Sequence, residues 1–422
     1  MYLDFSKNNY KWLNAKNIAI ASIVIWLIVQ VLLIWFHWDV KQGSDQGAYM
    51  RIAYRCFNKG CWYPNVDDIH RDMIWAPGLI NLLILQLKIF GSFQVNYILN
   101  LLMNIGILWN VWYIAKRFFN RQTAYIVVIL FCLTYSNMLV VLPSGTEIPF
   151  LFLSLTSFSL VLQEKVPLYI IAGILLALAN WFRPLVIIYL FVILFYLFCK
   201  KKSAIYYFAL IIPLLLIVFW IGWSSKQRMG YFAYQSTTSG VNLIMTSNDK
   251  AYGGVAMSLL HDKTQPMYIK NRRQYTYLQK DSIWKARSIE WIKKNPIRFA
   301  ELYVYKIGGL FIEDSWADRP IMGGFSVVDK TVYGKMDKIS LYERIPMMFL
   351  KSLVYYFVMI VFVLSLIRYR KEWFSDKGYL LLIFILGTLI TCLFSISPRY
   401  HYPFIFVAYI WAAYGIAERL RD

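Results

Sequence analysis

Four ionisable residues stand out because each lies where an apolar stretch of membrane-spanning length begins or ends: Asp45, Glu147, Arg183 and Arg399. Ionisable groups at membrane depth cost free energy, so they usually face an internal cavity and take part in function. A carboxylate can accept the proton of an attacking hydroxyl. An arginine can hold a phosphate through two parallel hydrogen bonds and stabilise its charge as it departs. These residue types predict a transfer reaction with an anionic leaving group and a hydroxyl nucleophile.

Aromatic and histidine side chains accompany two of these residues. Tyr49 follows Asp45 by four positions and so shares its face of a helix, although an interfacial aromatic anchor is the alternative. Tyr400 and His401 come directly after Arg399. We expect all three side chains to contact substrate, and a structural role is the alternative for His401.

Each charged candidate also has a simpler interpretation. Asp45 would then be a solvated loop acid or a helix cap, and Glu147 would favour the first turn of a helix through the helix dipole. Arg183 and Arg399 would be cations that extend from helix ends toward water. Lys306, a further candidate for phosphate binding, would be one more basic residue on an outer helix. Convergence of these residues in space distinguishes the two interpretations.

The composition indicates a polytopic membrane protein. The chain of 422 residues is 59% hydrophobic and 18% aromatic but only 16% charged, whereas soluble domains are about 25% charged. Lys and Arg in cytoplasmic loops, which anionic lipid favours, explain the net charge of +21. We therefore predict membrane lipids, and no nucleic acid, as partners. Cys56 and Cys61 share the first loop, and they would pair only if that loop faces an oxidising compartment.

The apolar runs and the basic clusters between them determine the predicted topology. The apolar runs cover about 17–36, 75–90, 93–115, 123–142, 148–163, 166–182, 185–199, 203–223, 346–367, 378–396 and 403–418. The basic clusters that mark the cytoplasmic side lie near Lys16, Lys116, Lys200, Arg368 and Arg419. All of them fall on that side only if the short run 75–90 does not cross. We predict about 10–11 transmembrane helices, both termini in the cytoplasm, and 75–90 as a juxtamembrane helix.

This topology divides the chain into three parts. An N-terminal transmembrane module covers 1–223 and includes an outer loop, 37–92. An outer domain covers 224–345, and apolar positions at helical spacing within Tyr275–Phe311 predict that it is mainly helical. The C-terminal transmembrane helices cover 346–422. The arrangement places all four ionisable residues at the same, outer face of an all-α membrane protein.

Several short motifs, in this order and spacing, resemble the GT-C superfamily of membrane glycosyltransferases. Within it, the resemblance is to bacterial relatives of protein mannosyltransferases and aminoarabinose transferases, which are similar to glycosyltransferase family 39. The motifs are Asp45-x-x-x-Tyr49, the Pro77-Gly78 segment that ends at Gly91, Ala115–Phe119, Thr146-Glu147-Ile148-Pro149, Trp181–Pro184, Trp291–Pro296 followed by Lys306, and Pro398–Pro403. The chain departs from the family at Gln46, where many relatives carry a second acid.

The resemblance implies a GT-C-like helical bundle in the bacterial inner membrane, with its active site on the periplasmic face. It implies transfer of a monosaccharide from a polyprenyl-phosphate donor to a hydroxyl, with inversion at the anomeric carbon. Asp45 would be the general base, and Glu147 would position the acceptor or donor sugar. Arg399, assisted by Arg183 or Lys306, would bind the donor phosphate.

Other functions of the same membrane stay open at this point. A flippase or transporter of lipid-linked saccharides would share the cationic outer pocket, and so would a polymerase or ligase. The acceptor is a glycan, a lipid or a protein hydroxyl. No metal ligands are assigned and metal dependence is open, because the spacing of the acids and histidine within 67–72 fits no ligand motif.

Overall fold

The computed structural model describes residues 14–65, 73–254, 257–322 and 340–421. Within these ranges the chain forms α-helices, short 3₁₀ turns and loops, and no strand. The prediction of an all-α class is confirmed. The acids and histidine at 67–72 lie outside the described ranges.

Eighteen α-helices lie within the described ranges. The first ten are α1 Ala15–Phe36, α2 Ser44–Asn58, α3 Pro77–Phe90, α4 Val95–Phe118, α5 Arg121–Leu133, α6 Tyr135–Leu139, α7 Glu147–Val161, α8 Val166–Phe182, α9 Val186–Cys199 and α10 Ala204–Met229. The others are α11 Ser239–Ile244, α12 Tyr277–Lys294, α13 Pro296–Leu310, α14 Arg319–Met322, α15 Leu341–Lys351, α16 Leu353–Arg368, α17 Gly378–Cys392 and α18 Tyr402–Arg419.

These helices make the chain an integral membrane protein. Among the described residues, α1, α4 and α10 are long and apolar enough to cross a membrane, with 22, 24 and 26 residues. The pair α15–α16 reaches that length together but is bent by 57°. Six shorter apolar helices accompany them, namely α3, α5, α7, α8, α9 and α17. The count of ten or eleven spans stays a prediction.

Two predicted runs are broken where a polar residue interrupts the helix. The run 123–142 ends as a helix at Leu133, because Thr134 adopts an extended conformation and its hydroxyl donates to the carbonyl of Leu130 at 2.9 Å. The run 346–367 is interrupted at Ser352, whose hydroxyl accepts a hydrogen bond from the backbone of Asp314 at 3.0 Å.

Helix α18 lies at the centre of the bundle. Its side chains from Tyr402 to Tyr414 are buried on every face, which is the pattern of a helix enclosed by others. It packs against α5, α16 and α17. Because Arg399 precedes α18 by only three residues, the central helix delivers this cation to the end of the bundle.

Helices α2 and α3 pack against each other. They share a buried apolar cluster that includes Ile52, Leu83 and Ile84. At the start of α3, Gly78 lies against the backbone of Trp181 at the end of α8, and a Cβ there would be 2.9 Å from its carbonyl carbon. The predicted helix within 75–90 is confirmed, and its beginning lies beside the end of α8.

Close packing between α8 and α10 depends on a glycine. A Cβ at Gly173 would lie 2.2 Å from the carbonyl oxygen of Leu210, so the two backbones approach as membrane helices do at small residues.

We predict that Gly173→Ala destabilises the protein by about 1–3 kcal/mol through overpacking, measured by thermal unfolding in detergent. The control is Gly308→Ala on α13, because a Cβ at that position meets nothing within 4 Å. An unchanged melting temperature for Gly173→Ala would contradict the packing.

Candidate active site

The first turn of α2 presents Asp45 to an arginine from the far end of the chain. An acid in a first helical turn is favoured by the helix dipole, and Asp45 occupies that position. Its Oδ2 forms an ion pair with Nη2 of Arg399, which lies 354 residues away in the sequence. The Asp45 side chain is 38% exposed and that of Arg399 is 10% exposed, so the acid faces the open side of the pair.

Glu147 begins α7 and joins both arginines. Its Oε1 lies 3.1 Å from Nη1 of Arg183 and 3.8 Å from Nε of Arg399. The carboxylate folds back over Gly145, where a Cβ would be 2.5 Å from Oε2. The four predicted ionisable residues thus form one chain of charges, in the order Asp45, Arg399, Glu147, Arg183. We call this chain the charge cluster; its formal charges sum to zero.

Two tyrosines border the charge cluster. The guanidinium carbons of Arg183 and Arg399 lie 5.4 and 5.3 Å from the centre of the Tyr400 ring, within the range of cation–π attraction.

Burial, followed by the charge of Asp45, raises the pKa of Tyr49 above its ordinary value, so this phenol stays protonated. Burial opposes the charge of Arg399, but Asp45, Tyr400 and Glu147 raise its pKa well above the ordinary value.

Side-chain amides hold the buried loop that delivers Glu147. Residues 140–146 between α6 and α7 are buried and not helical, and buried backbone groups need hydrogen-bond partners. The amide of Asn100 donates to the carbonyls of Val141 and Pro143, both at 3.1 Å. The amide of Asn96 donates to the hydroxyl of Ser144 at 3.1 Å.

The same face of α4 carries a third amide. Asn104 donates to Gln30 of α1 at 3.0 Å and to the carbonyl of Asn137 at 3.4 Å. Sequence reasoning missed these residues, although the signal was present: Asn96, Asn100 and Asn104 recur every four residues in the first half of a mainly apolar helix. Three amides on one face of a membrane helix indicate that this face contacts polar groups of the protein.

The described residues between α10 and α15, namely 230–254, 257–322 and 340, form what we call the large loop, and this loop holds the segment before Arg399. The backbone of Ser395 donates to the carbonyl of Asn242 at 3.1 Å, and that of Ile396 donates to the carbonyl of Gly253 at 3.0 Å. Arg399 follows directly, in a 3₁₀ turn of residues 398–401. The position of the phosphate-binding candidate therefore depends on the fold of this loop.

His401 makes its contacts away from the acids of the charge cluster. It is fully buried, with Nδ1 2.8 Å from the carbonyl of Leu310 and Nε2 3.2 Å from Oδ1 of Asp314. Its ring stacks on Phe311 and on Tyr355, with ring centres 5.9 and 5.3 Å apart. These contacts correspond to the structural alternative for His401, while its predicted contact with substrate stays a prediction.

Sequence reasoning missed a second group of buried acids within 313–318. Asp314 accepts from the hydroxyl of Ser136, and Asp318 pairs with Lys351 and accepts from Tyr135 at 3.0 Å. These bonds fasten the large loop to α6 and to the bent pair α15–α16. The signal was three acids, Glu313, Asp314 and Asp318, close together in a basic loop, which the sequence analysis did not single out.

Lys306 is not part of the charge cluster. Its amine is fully buried and has no hydrogen-bond partner among the described residues. It lies 5.1 and 5.8 Å from the ring centres of Phe299 and Tyr303. Burial lowers the pKa of Lys306 from 10.5 to about 8. Its predicted contact with phosphate stays a prediction, which would require the amine to leave this aromatic environment.

The metal and disulfide questions concern the first loop. Within the described ranges, no group of three or more His, Cys, Asp or Glu is arranged to hold a metal ion. No disulfide joins Cys56 to Cys61 in the structure. The amide of Asn65 lies 3.4 Å from the sulfur of Cys56 and 2.9 Å from that of Cys61.

The bundle resembles solved membrane transferases. Neither a protein-family model nor a curated protein sequence matches the chain. The oligosaccharyltransferase of Archaeoglobus fulgidus in its apo form is similar with a TM-score of 0.52, 13% identity, and coverage of 100% of this chain. The same archaeal enzyme in complex with Zn and sulfate is similar with a TM-score of 0.50 and 13% identity over 95% of this chain.

This likeness concerns the fold. The chain spans about half of the archaeal enzyme, 51% and 49% of its length in the two structures. ArnT from Cupriavidus metallidurans, bound to undecaprenyl phosphate, is similar at a TM-score of only 0.39 and 10% identity, over 94% of this chain and 78% of that one. The archaeal structures confirm that the chain has the helical fold of a membrane protein of this kind.

The unpaired amine of Lys306 generates a prediction about pH. Below pH 8 this lysine is charged in both folded and unfolded states, so the folded state bears the full cost of burying the charge. Above about pH 10.5 it is neutral in both states and the cost disappears. We predict that Lys306→Met stabilises the protein by up to about 3 kcal/mol at pH 7 and that the gain shrinks toward pH 10.

Thermal unfolding at pH 7 and pH 10 measures this difference. Lys293→Met is the matched control, because Lys293 is exposed on the neighbouring helix α12 and its replacement should change stability by less than about 0.5 kcal/mol. A gain for Lys306→Met that is equal at both pH values would contradict burial of a charged amine.

Proposed function

We propose that this protein is an inverting glycosyltransferase. It moves a monosaccharide from a polyprenyl-phosphate donor to a hydroxyl acceptor at the periplasmic face of the bacterial inner membrane. The observation that carries the proposal is the charge cluster, in which a partly exposed carboxylate, Asp45, pairs with Arg399, and Glu147 joins Arg399 to Arg183. The GT-C-like fold supports the proposal.

Asp45 acts as the general base of the reaction. Its carboxylate accepts the proton of the acceptor hydroxyl while the hydroxyl oxygen attacks the anomeric carbon. The bond between that carbon and the phosphate oxygen breaks, and its electron pair stays on the phosphate. Because attack comes from the face opposite the phosphate, the configuration inverts. The products are the glycoside, the polyprenyl phosphate and a protonated Asp45.

Arg399 and Arg183 stabilise the phosphate as its charge grows. Nε of Arg399 and Nη1 of Arg183 lie 3.8 and 3.1 Å from Oε1 of Glu147, but neither forms a hydrogen bond within the described residues. Both nitrogens can therefore donate to phosphate oxygens. The two arginines are therefore suited to the anionic end of the donor.

Charge balance couples donor binding to the base. The carboxylates of Asp45 and Glu147 already pair with both arginines. A bound phosphate therefore gains a partner of opposite charge only if a guanidinium turns toward it. Arg399 is shared between the two acids and is the cation best placed to do so. Its movement toward phosphate would leave Oδ2 of Asp45 free to accept the proton of the acceptor.

Glu147 and the neighbouring aromatic residues position the sugar. Glu147 is buried beneath both arginines, where its carboxylate can orient them and accept a hydrogen bond from a sugar hydroxyl. Tyr400 lies against both guanidiniums, and Tyr49 lies one helical turn beyond Asp45. The large loop, which holds the segment before Arg399, would choose among glycan, lipid and protein acceptors.

We predict that Asp45→Asn lowers transfer of labelled sugar in membranes by at least about 100-fold, because the amide cannot accept the proton. Photo-crosslinking of a polyprenyl-phosphate sugar should persist, since the arginines remain. Asp39→Asn is the matched control: Asp39 lies between α1 and α2, only six residues before Asp45, and it accepts from Gln94 at 3.2 Å, outside the charge cluster. Full transfer of sugar by the Asp45→Asn variant would contradict the proposal. Movement of a labelled lipid across liposomes without product would instead identify a transporter.

A further inference from the structure

A polar residue between α1 and α2 contacts both segments that carry the proposed catalytic acids. We infer that Gln42 is a positioning residue that sets the spacing between Asp45 and Glu147. The inference rests on the proposed function, because it assigns that spacing a role in transfer. Gln42 does not belong to the charge cluster and need not touch substrate.

The side chain of Gln42 binds the loop that delivers Glu147. Its Nε2 donates to the carbonyl of Leu142 at 2.9 Å and to the hydroxyl of Tyr97 at 3.2 Å. Its Oε1 accepts from the backbone of Ser144 at 3.4 Å. Leu142 and Ser144 are fully buried, so these bonds supply partners that water cannot supply. The amide therefore connects to the loop only a few residues before Glu147.

The backbone of Gln42 lies against the helical turn that carries Asp45. A Cβ at Gly47 would be 2.4 Å from the carbonyl oxygen of Gln42, so only glycine permits this approach. The backbone of Gly47 donates to the carbonyl of Gly43 at 3.1 Å and closes the first turn of α2 around Asp45. The main chain of residue 42 and the first turn of α2 therefore form one unit.

Together these contacts make Gln42 a clamp between the two acids. Only an amide of this length offers a donor to Leu142 and an acceptor to Ser144 at once. Alanine removes both bonds, asparagine is one methylene too short, and glutamate has no donor when ionised. One such bond contributes about 1 kcal/mol to stability, whereas a displacement of about 1 Å in a reacting group can cost about 100-fold in rate. The expected effect is thus larger on turnover than on folding.

The test compares Gln42→Ala, Gln42→Asn and Gln42→Glu with Asn110→Ala in purified full-length protein. Asn110 is the matched control, since it is a buried amide on α4 that bonds Gly106 at 2.7 Å and Thr156 at 3.0 Å. We expect kcat for sugar transfer to fall about 10–100-fold in the three Gln42 variants, with the KM for donor within about threefold. Asn110→Ala should keep its kcat.

Hydrogen–deuterium exchange measures the clamp without any turnover. In Gln42→Ala the backbone amides of 140–147 and of 44–48 should both exchange faster than in the wild type, and in Asn110→Ala neither segment should change. A folded Gln42→Ala protein with wild-type kcat would overturn the inference, and so would unchanged exchange in either segment. If the wild type transfers no sugar, the proposed function fails, and unchanged exchange would then refute the clamp separately.

Discussion

The structure depends on the pairing of one nearly buried arginine. Arg399 is 10% exposed, and a buried cation without a partner would destabilise the protein by several kcal/mol. Its partners, Asp45 and Glu147, come from the first turns of α2 and α7. Compensation of this single charge therefore requires three distant parts of the chain to meet at one end of the bundle. The central position of α18 ensures that the cation reaches that point.

A second constraint is the non-helical backbone that delivers Glu147. In a membrane protein such backbone is tolerated only where it is enclosed by protein and its hydrogen bonds are satisfied. The amides of Asn100 and Gln42 supply such partners to backbone groups of the loop 140–146. The site combines a fixed set of backbone contacts beneath Glu147 with a partly exposed acid, Asp45, on its open side. This asymmetry suits the proposed role of Asp45 as a base that meets the acceptor at the open side of the site.

Much of the helical framework follows from hydrophobic pattern, because a run of apolar residues in lipid can satisfy its backbone only as a helix. The four members of the charge cluster were predictable for a related reason: a charge beside an apolar run needs an internal partner. The breaks at Thr134 and Ser352 were not predictable, since each depends on a specific hydrogen bond.

The contacts of the large loop also escaped prediction. Asp314 and Asp318 are buried against Ser136 and Lys351, which are distant in sequence, and local composition carries no information about such pairing. Lys306 shows the same limit, because its burial among aromatic rings follows from how α13 packs. A lysine is a suitable residue type for binding phosphate, but the tertiary fold determines where the amine of Lys306 lies.

The most direct test of the central claim is a double-mutant cycle on the stability of the protein in detergent, with Asp45→Asn and Arg399→Gln made singly and together. If these side chains form the pair described, the two changes are not additive, and the coupling free energy falls between about 0.5 and 3 kcal/mol. Effects that add to within about 0.3 kcal/mol would show that the acid and the arginine do not interact, and would contradict the account.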